Sequence, residues 1–387
     1  MPSQAHRLNN LPPYVFSVIG DRIRKMKKNG IDVYRLDIGN PDLPPPQHVI
    51  EALCDSAHAP HTHGYTGYRG KAAFRQAVAQ HYQQRYGVTL NPDTQVLPLL
   101  GSKEGIINLS LAYLDQGDLA LVPDIGYPSY QMGAILAGAS VEYIPMRAES
   151  NFELDLDAIS LDQLQKAKLL WVNYPNNPTG AVVNIDFYER AATLCASHDI
   201  LLVSDNPYNE VVFDEYTAPS ALQADTELNN MLEFMSFSKS YNMAGWRLGV
   251  AVGSAEAIDK LLSVKSNVDS GHFEPVYDAG IAALKTDQAW LTERNNVYKG
   301  RRDKILDILP KIGLEAHKTS GSLYIWARVL ECSERDYVTN ALEQACVSIA
   351  PGSAYGPGGE GFVRISLGVA DHQLEAALNN LIDWYQR

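Results

Sequence analysis

The sequence predicts an α/β protein: a large domain with a seven-stranded, mostly parallel sheet between helices, and a smaller α+β domain. Seven short apolar runs alternate with helical patterns, which is typical of strands that are buried on both faces. From about residue 290 the pattern changes to a long charged helix, over 291–309, followed by short mixed strands and helices. The apolar runs are residues 96–100, 119–122, 141–144, 169–173, 200–204, 232–237 and 248–252.

Both ends of the chain are predicted to form the smaller domain. Residues 11–16 contain two prolines, which disfavour helix before them, and are predicted to be an extended arm. A basic helix over 21–30 and a short strand over 33–38 follow, and three prolines at 44–46 make a stiff connection. We expect an arm and part of the small domain over 1–46, the large domain over 47–290 and the rest of the small domain over 291–387.

Composition and charge limit the classes of function. The formal net charge of −13 over 387 residues disfavours nucleic acid or an anionic membrane as a partner. Four widely spaced cysteines form no CxxC pair, so we expect no metal site, no disulfide framework and a reducing, cytoplasmic location. The polar N-terminal segment lacks the apolar core of a signal peptide, and no run approaches the ~20 apolar residues of a membrane helix.

The stretch over residues 236–249 carries the most specific chemistry. Lys239 follows a buried apolar run, and desolvation lowers the pKa of such an amine so that it can attack a carbonyl. The hydroxyls of Ser236 and Ser238 and the guanidinium of Arg247 suit a phosphate. An amine beside an anion site is what an aldehyde-bearing phosphate cofactor requires. For any one of these residues alone, a surface lysine and a strand-ending arginine would be the simpler interpretation.

Further candidates follow other apolar runs, since ligands of open α/β sheets bind at the carboxyl ends of the strands. Ser102 and Lys103 open a helix whose N-terminus is a potential anion site, although Ser102 could merely cap that helix. Tyr127 follows the next run and could stack on a planar ring, although a lone tyrosine in a turn is more often structural.

Three more strand ends carry polar side chains. The turn at Asn177 could present its amide to a ring oxygen. Asp205 leaves a buried run and needs a partner such as a protonated ring nitrogen, and Tyr208 would lie on the same side. Arg364 alternates with apolar residues near the end of the chain. It offers a bidentate fork for a carboxylate if it faces the cleft, and is otherwise a solvated edge residue.

Together and in this order, these motifs resemble the fold-type-I pyridoxal 5′-phosphate (PLP) aminotransferases of class I and II over nearly the whole chain. The similarity is nearest to the branch that contains alanine and LL-diaminopimelate aminotransferases. It also extends to residues 11–16, 39–42, 63–65 and 101–105. The resemblance implies an aspartate-aminotransferase-like fold, PLP as cofactor, and a homodimer with the active site at the interface.

The resemblance also implies a role for each candidate. Lys239 carries PLP covalently and moves a proton between substrate Cα and cofactor C4′. The other cofactor roles fall on Asp205 for the pyridine nitrogen, Asn177 (with a cis bond to Pro178) and Tyr208 for the ring oxygen, Tyr127 for stacking, and Ser102, Lys103, Ser236, Ser238, Arg247 and the neighbouring subunit's Tyr65 for the phosphate. Substrate binding falls on Arg364 for the α-carboxylate, the backbone at Gly39, and Tyr14 in the arm.

The implied activity is ping-pong transfer of an α-amino group, with glutamate and 2-oxoglutarate as one substrate pair. In the diaminopimelate branch an acidic residue three positions after the interface tyrosine meets the distal ammonium, but here that position is Tyr68. A phenol packs against apolar or aromatic groups, which favours a neutral amino acid such as alanine or an aromatic as the other partner. LL-diaminopimelate stays open. A PLP-dependent Cβ–Sβ lyase would use the same site, and a PLP-fold transcription regulator would need a DNA-binding module.

Overall fold

The computed structural model of the protein describes residues 2–11, 15–225 and 227–387. Within these ranges the helices are α1 (Val15–Lys28), α2 (Gln47–His58), α3 (Ala72–Tyr86), α4 (Ser102–Tyr113), α5 (Ser129–Ala137), α6 (Leu161–Lys166), α7 (Ile185–Ser197), α8 (Phe237–Ser240), α9 (Ala255–Lys265), α10 (Glu274–Ala283), α11 (Gln288–Ile308), α12 (Glu334–Gln344) and α13 (Asp371–Tyr385). The strands are β1 (Tyr34–Arg35), β2 (Val96–Leu99), β3 (Leu119–Pro123), β4 (Ser140–Ile144), β5 (Ala167–Val172), β6 (Leu201–Asn206), β7 (Met231–Ser236), β8 (Gly249–Gly253), β9 (Leu314–Ala316), β10 (Tyr324–Val329), β11 (Val347–Ser348), β12 (Ala350–Pro351) and β13 (Phe362–Ser366).

The predicted seven-stranded sheet is confirmed, and its strand order is β2-β8-β7-β6-β5-β3-β4. All neighbouring strands are parallel except β8, which runs antiparallel to both β2 and β7. The parallel strands therefore direct their carboxyl ends, and the polar residues that follow them, to one edge of the sheet.

Alternate residues of each central strand enter hydrophobic clusters on opposite faces of the sheet. Leu169 of β5 and Leu201 of β6 pack in one cluster with helices α4 and α9. Leu170 and Leu202, the next residues along, pack in the other cluster with α3 and α7. Burial on both faces explains why these strands are continuous apolar runs in the sequence.

A second sheet contains four antiparallel strands in the order β12-β13-β10-β9. Strand β1, near the N-terminal end, pairs in parallel with β11 from the C-terminal third. Leu36, which follows β1, belongs to the same hydrophobic cluster as residues of α11, β10 and α13. The exact domain boundaries at residues 46 and 290 stay a prediction.

Two local predictions near the N-terminal end are wrong. The chain is helical from Val15, so residues 15–16 are not extended; a proline restricts the residue before it, not residues that follow. Residues 12–14 lie outside the described part. The strand predicted over 33–38 contains only Tyr34 and Arg35, because Leu36 donates to Ser348 while its carbonyl accepts from Ser366. The backbone thus passes from one neighbouring strand to another.

Candidate active site

A cavity of about 450 Å³ lies at the carboxyl ends of the parallel strands. The predicted site residues that line it are Gly39, Ser102, Lys103, Tyr127, Asn177, Asp205, Tyr208, Ser236, Ser238, Lys239, Arg247 and Arg364. These residues are far apart in the sequence, and the sheet topology is what brings them together.

Lys239 lies in α8, the short helix that starts directly after strand β7. The hydroxyl of Ser236 accepts a hydrogen bond from the Ser238 N–H at 3.2 Å and caps this turn. The lysine Nζ is buried in the cavity and donates to the carbonyl of Gly39. Burial, and then the nearby positive charges of Arg364 and Arg247, lower the pKa of Lys239 to about 7. A substantial fraction of this amine is therefore neutral near physiological pH.

Arg294 of α11 supports the backbone of this turn. Its guanidinium is fully buried and donates to the carbonyls of Lys239, at 3.2 Å, and of Ser240 and Glu210. Arg294 is not recognisable from the sequence, because its carbonyl partners lie in segments more than 50 residues away.

Asp205 is the penultimate residue of strand β6 and is almost completely buried. Its Oδ2 accepts a hydrogen bond from the Tyr130 hydroxyl at 2.7 Å, whereas its Oδ1 is buried without a hydrogen-bond partner among the described residues. Burial raises the pKa of Asp205 to about 7, although the bond from Tyr130 opposes this rise. Oδ1 is therefore a buried acceptor to which no described residue donates a hydrogen bond.

The N-terminus of helix α4 and the guanidinium of Arg247 lie close together. The N-cap of α4 is Gly101, with φ of +82°, so the simpler interpretation of Ser102 as the cap is wrong. A Cβ at Gly101 would lie 2.4 Å from Nη2 of Arg247, and a Cβ at Gly249 would lie 3.0 Å from the backbone nitrogen of Ser102. Only glycines therefore let the guanidinium, the helix N-terminus and strand β8 approach so closely.

Arg364 of β13 is buried, so the interpretation as a solvated edge residue is wrong. Its Nη1 donates to Oδ1 of Asn177 at 2.9 Å, and its Nη2 donates to the carbonyl of Asp37 at 2.7 Å. The guanidinium carbon lies 4.0 Å from the ring centroid of Tyr324 and 4.8 Å from that of Tyr355. These contacts fix the orientation of a positive charge inside the cavity.

The aromatic and amide side chains complete the cavity. The Tyr208 hydroxyl lies 2.8 Å from the Tyr324 hydroxyl. The ammonium of Lys103 lies 5.9 Å from the ring centroid of Tyr127. The Asn177–Pro178 bond is cis, as the resemblance implied.

One predicted site residue does not line this cavity, and another cannot be placed relative to it. Tyr65 is 92% exposed on the surface of the chain, and Tyr14 lies outside the described residues. Several other lining residues were not predicted from the sequence. Among them, only Asn173 offered a signal, as a polar residue directly after strand β5. The missed residues are Arg35, Asp37, Ile38, Asn173, Tyr324 and Tyr355.

Residues 31–381 match the family described as Aminotransferase class I and II. The chain belongs to this family. It is 46% identical to an LL-diaminopimelate aminotransferase of Dehalococcoides mccartyi, over 98% of each chain. It is 44% identical to the enzyme of that name from Moorella thermoacetica, over 98% of this chain and 97% of that one.

Solved structures agree with the family. The structure of BacF from Bacillus subtilis superposes with a TM-score of 0.95 at 34% identity, and the match covers 100% of this chain and 99% of that one. The predicted aspartate-aminotransferase-like fold is thereby confirmed. The protein is an aminotransferase, and the cavity described above is its candidate active site.

Other features of this aminotransferase bear on its chemistry and surroundings. In the described part of the chain, no group of three or more histidine, cysteine, aspartate or glutamate side chains is placed to hold a metal ion. None of the helices described is long and apolar enough to cross a membrane. All four cysteines are free, and Cys54 and Cys332 are exposed.

Proposed function

We propose that this aminotransferase transfers an amino group between LL-diaminopimelate and 2-oxoglutarate, with PLP as its cofactor. The observation that carries the choice of substrate is near full-length identity of 46% and 44% to two enzymes named for LL-diaminopimelate. These names favour the LL-diaminopimelate alternative over the neutral amino acid predicted from Tyr68. Tyr68 is 54% exposed and, like Tyr65, does not line the cavity of its own chain.

The residues of the cavity fit PLP. Oδ1 of Asp205 is a buried acceptor to which no described residue donates, and a protonated pyridine nitrogen would supply the missing donor. At Gly101 the N-terminus of α4 and the guanidinium of Arg247 come close together, and this arrangement suits a phosphate. Asn177 and Tyr208 would hold the ring oxygen, Tyr127 would pack on the ring, and the phosphate would bind to Ser102, Lys103, Ser236, Ser238 and Arg247.

The chain's own groups can then divide the work of the reaction. When bound, PLP supplies an electron sink that stabilises negative charge at the substrate Cα. Nζ of Lys239, with its pKa lowered to about 7, would accept the proton from the substrate Cα and hold it for the second proton transfer. Arg364 would bind the α-carboxylate and so orient the Cα–H bond toward Nζ. Gly39 brings its carbonyl to Nζ, and its lack of a side chain leaves room for Tyr324, whose hydroxyl a Cβ would meet at 2.0 Å.

We also propose a homodimer in which Tyr65 contacts the phosphate bound in the other subunit. Tyr65 belongs to a surface patch that contains Tyr68, Val268 and Phe273, which are 54%, 60% and 45% exposed. The two segments of this patch contact each other, because the Thr66 hydroxyl donates to the His272 carbonyl at 3.2 Å. A patch of exposed aromatic rings of this kind is typical of a protein–protein interface.

A cytoplasmic location is part of the same proposal. Exposed, unpaired thiols such as those of Cys54 and Cys332 persist in reducing compartments. A biosynthetic aminotransferase with diffusible substrates fits that setting.

The substrate is tested with the purified PLP-bound enzyme by measuring kcat/KM for LL-diaminopimelate, alanine, phenylalanine and tyrosine with 2-oxoglutarate. We expect LL-diaminopimelate to be preferred strongly, with one glutamate formed per amino group transferred. A preference for alanine or an aromatic amino acid would reject this substrate and restore the prediction from Tyr68. Release of pyruvate and ammonia from a β-substituted amino acid without any oxo acid would instead indicate the lyase alternative.

A further inference from the structure

An arginine–aspartate pair beside Arg364 is left unused by the proposed reaction. Arg35 and Asp37 both line the cavity. Nε and Nη2 of Arg35 each donate to one carboxylate oxygen of Asp37, and both distances are 2.6 Å. The side chain of Asp37 is 1% exposed, whereas that of Arg35 is 31% exposed. The pair thus has a buried acidic end and a basic end that is accessible from the cavity.

The backbone holds this pair in a fixed position relative to Arg364. Leu36 lies between the two residues. Its N–H donates to the carbonyl of Ser348, its carbonyl accepts from the N–H of Ser366, and both distances are 2.8 Å. The carbonyl of Asp37 accepts from Nη2 of Arg364 at 2.7 Å. Asp37 therefore binds one guanidinium through its carboxylate and the other through its backbone.

The ion pair with Asp37 leaves some N–H donors of Arg35 without an acceptor in the described part of the chain. A guanidinium has five N–H donors in a planar fork. In the described part of the chain, Asp37 accepts from Nε and Nη2, and no hydrogen bond is formed from Nη1. A guanidinium needed only to neutralise Asp37 could lie away from the cavity, whereas this one is held rigidly at its wall.

We propose that Arg35 is a specificity-determining residue that binds the distal carboxylate of dicarboxylic substrates. This inference rests on the proposed function, in which Arg364 binds the α-carboxylate. Glutamate, 2-oxoglutarate and LL-diaminopimelate all carry a second carboxylate, so one cationic site serves both halves of a ping-pong cycle. Asp37 fixes the orientation of the guanidinium, so that little side-chain entropy is lost when a substrate binds.

The test uses the PLP-bound enzyme and a pair of substitutions. Arg35→Met alone would leave the buried carboxylate of Asp37 without a positive partner. The decisive variant is therefore Arg35→Met/Asp37→Asn, and its reference is Asp37→Asn, which keeps the guanidinium. Two measurements are made: the dissociation constant of glutarate, and kcat/KM for 2-oxoglutarate against pyruvate in the half-reaction followed by cofactor absorbance.

We expect the double variant to bind glutarate about 10- to 100-fold more weakly than Asp37→Asn, the range for losing a hydrogen bond to a charged group. The KM for 2-oxoglutarate should rise by a similar factor. The kinetics with pyruvate and the affinity for PLP should stay within about threefold of those of Asp37→Asn, because a larger change is expected only when a charged contact is lost. Arg35→Lys should recover part of the affinity. Arg328→Met, which removes an exposed arginine outside the cavity, is the matched control and should leave glutarate binding unchanged.

Two results would overturn the inference. Unchanged glutarate binding in the double variant would show that Arg35 does not meet the distal carboxylate. Equal losses for 2-oxoglutarate and pyruvate would show that the pair only maintains the wall of the cavity. Because the glutarate measurement requires no turnover, it stays decisive even if LL-diaminopimelate proves not to be a substrate.

Discussion

At the scale of single residues, burial shifts the pKa values of two cavity groups toward neutrality from opposite directions. The pKa of Lys239 falls to about 7, and the pKa of Asp205 rises to about 7. Lys239→Ala removes the amine that would carry PLP and move the proton. We expect this variant to lose the chromophore that borohydride reduces onto the protein, and kcat to fall by about 10²–10⁴-fold or more.

The matched control is Lys168→Ala, since Lys168 is exposed on strand β5 and does not line the cavity. It should keep both the reducible chromophore and the activity. Undiminished activity of Lys239→Ala would reject PLP chemistry at this site.

Asp205 gives a prediction with a defined pH dependence. Its pKa is about 7 in the folded, cofactor-free protein and 3.8 in an unperturbed chain, so the folded state binds the extra proton between these values. The cost of burying the carboxylate is therefore absent below about pH 4, grows as pH rises, and is complete above about pH 7. Asp205→Asn should stabilise the cofactor-free protein at pH 8 by about 1–3 kcal/mol, and much less at pH 5.

With PLP bound the order should reverse, because the protonated ring nitrogen would pair with the native carboxylate and not with an amide. Melting temperatures of both proteins, with and without PLP at pH 5 and pH 8, provide the measurement. A cofactor-free variant that is less stable than the native protein at pH 8 would contradict this account of Asp205.

At the scale of elements, the start of helix α4 combines a backbone requirement with the proposed phosphate site. Gly101→Ala forces a Cβ to within 2.4 Å of the Arg247 guanidinium at a residue with φ of +82°. Gly117→Ala is the matched control, because its φ is +98° but no atom lies within 4 Å of the added Cβ. Both variants should lose about 1 kcal/mol of stability from backbone strain.

Only Gly101→Ala should also weaken PLP binding, by roughly tenfold or more, because it displaces a charged group from the phosphate. Fluorescence titration of each cofactor-free variant with PLP measures this difference. Equal PLP affinities for the two variants would show that Arg247 does not bind the phosphate.

The strands of the large sheet could be predicted from the sequence, whereas several residues of the site could not. The inner strands of the seven-stranded sheet are predictable because a strand buried on both faces must be mostly apolar, and such runs are visible without any partner. Tyr130, Tyr324 and Arg294 could not be predicted, since each acts through a contact with a residue distant in sequence. Arg35 was missed for a similar reason, as strand β1 takes its position from β11.

At the scale of the whole molecule, the proposed dimer would complete the active site of each chain. The cavity contains the other predicted cofactor ligands, but Tyr65 points out of its own chain and is 92% exposed. We expect the protein to be an isologous dimer in which the patch of Tyr65, Tyr68, Val268 and Phe273 is buried against its copy. Tyr65→Phe removes only the hydroxyl, so it should weaken PLP binding by about tenfold, the loss of one charge-assisted hydrogen bond, with the dimer intact.

Tyr68→Asp/Phe273→Asp places charges in the same patch and should give monomers with much weaker PLP binding, because burying an unpaired carboxylate in an interface is costly. Leu161→Asp is the control: Leu161 is 62% exposed at the start of α6, outside the patch, so this variant should stay dimeric. Sedimentation velocity at nanomolar concentration, combined with PLP titration of the same samples, separates the two effects. A native protein that sediments as one chain and keeps full activity at that concentration would show that Tyr65 of a neighbour is not required.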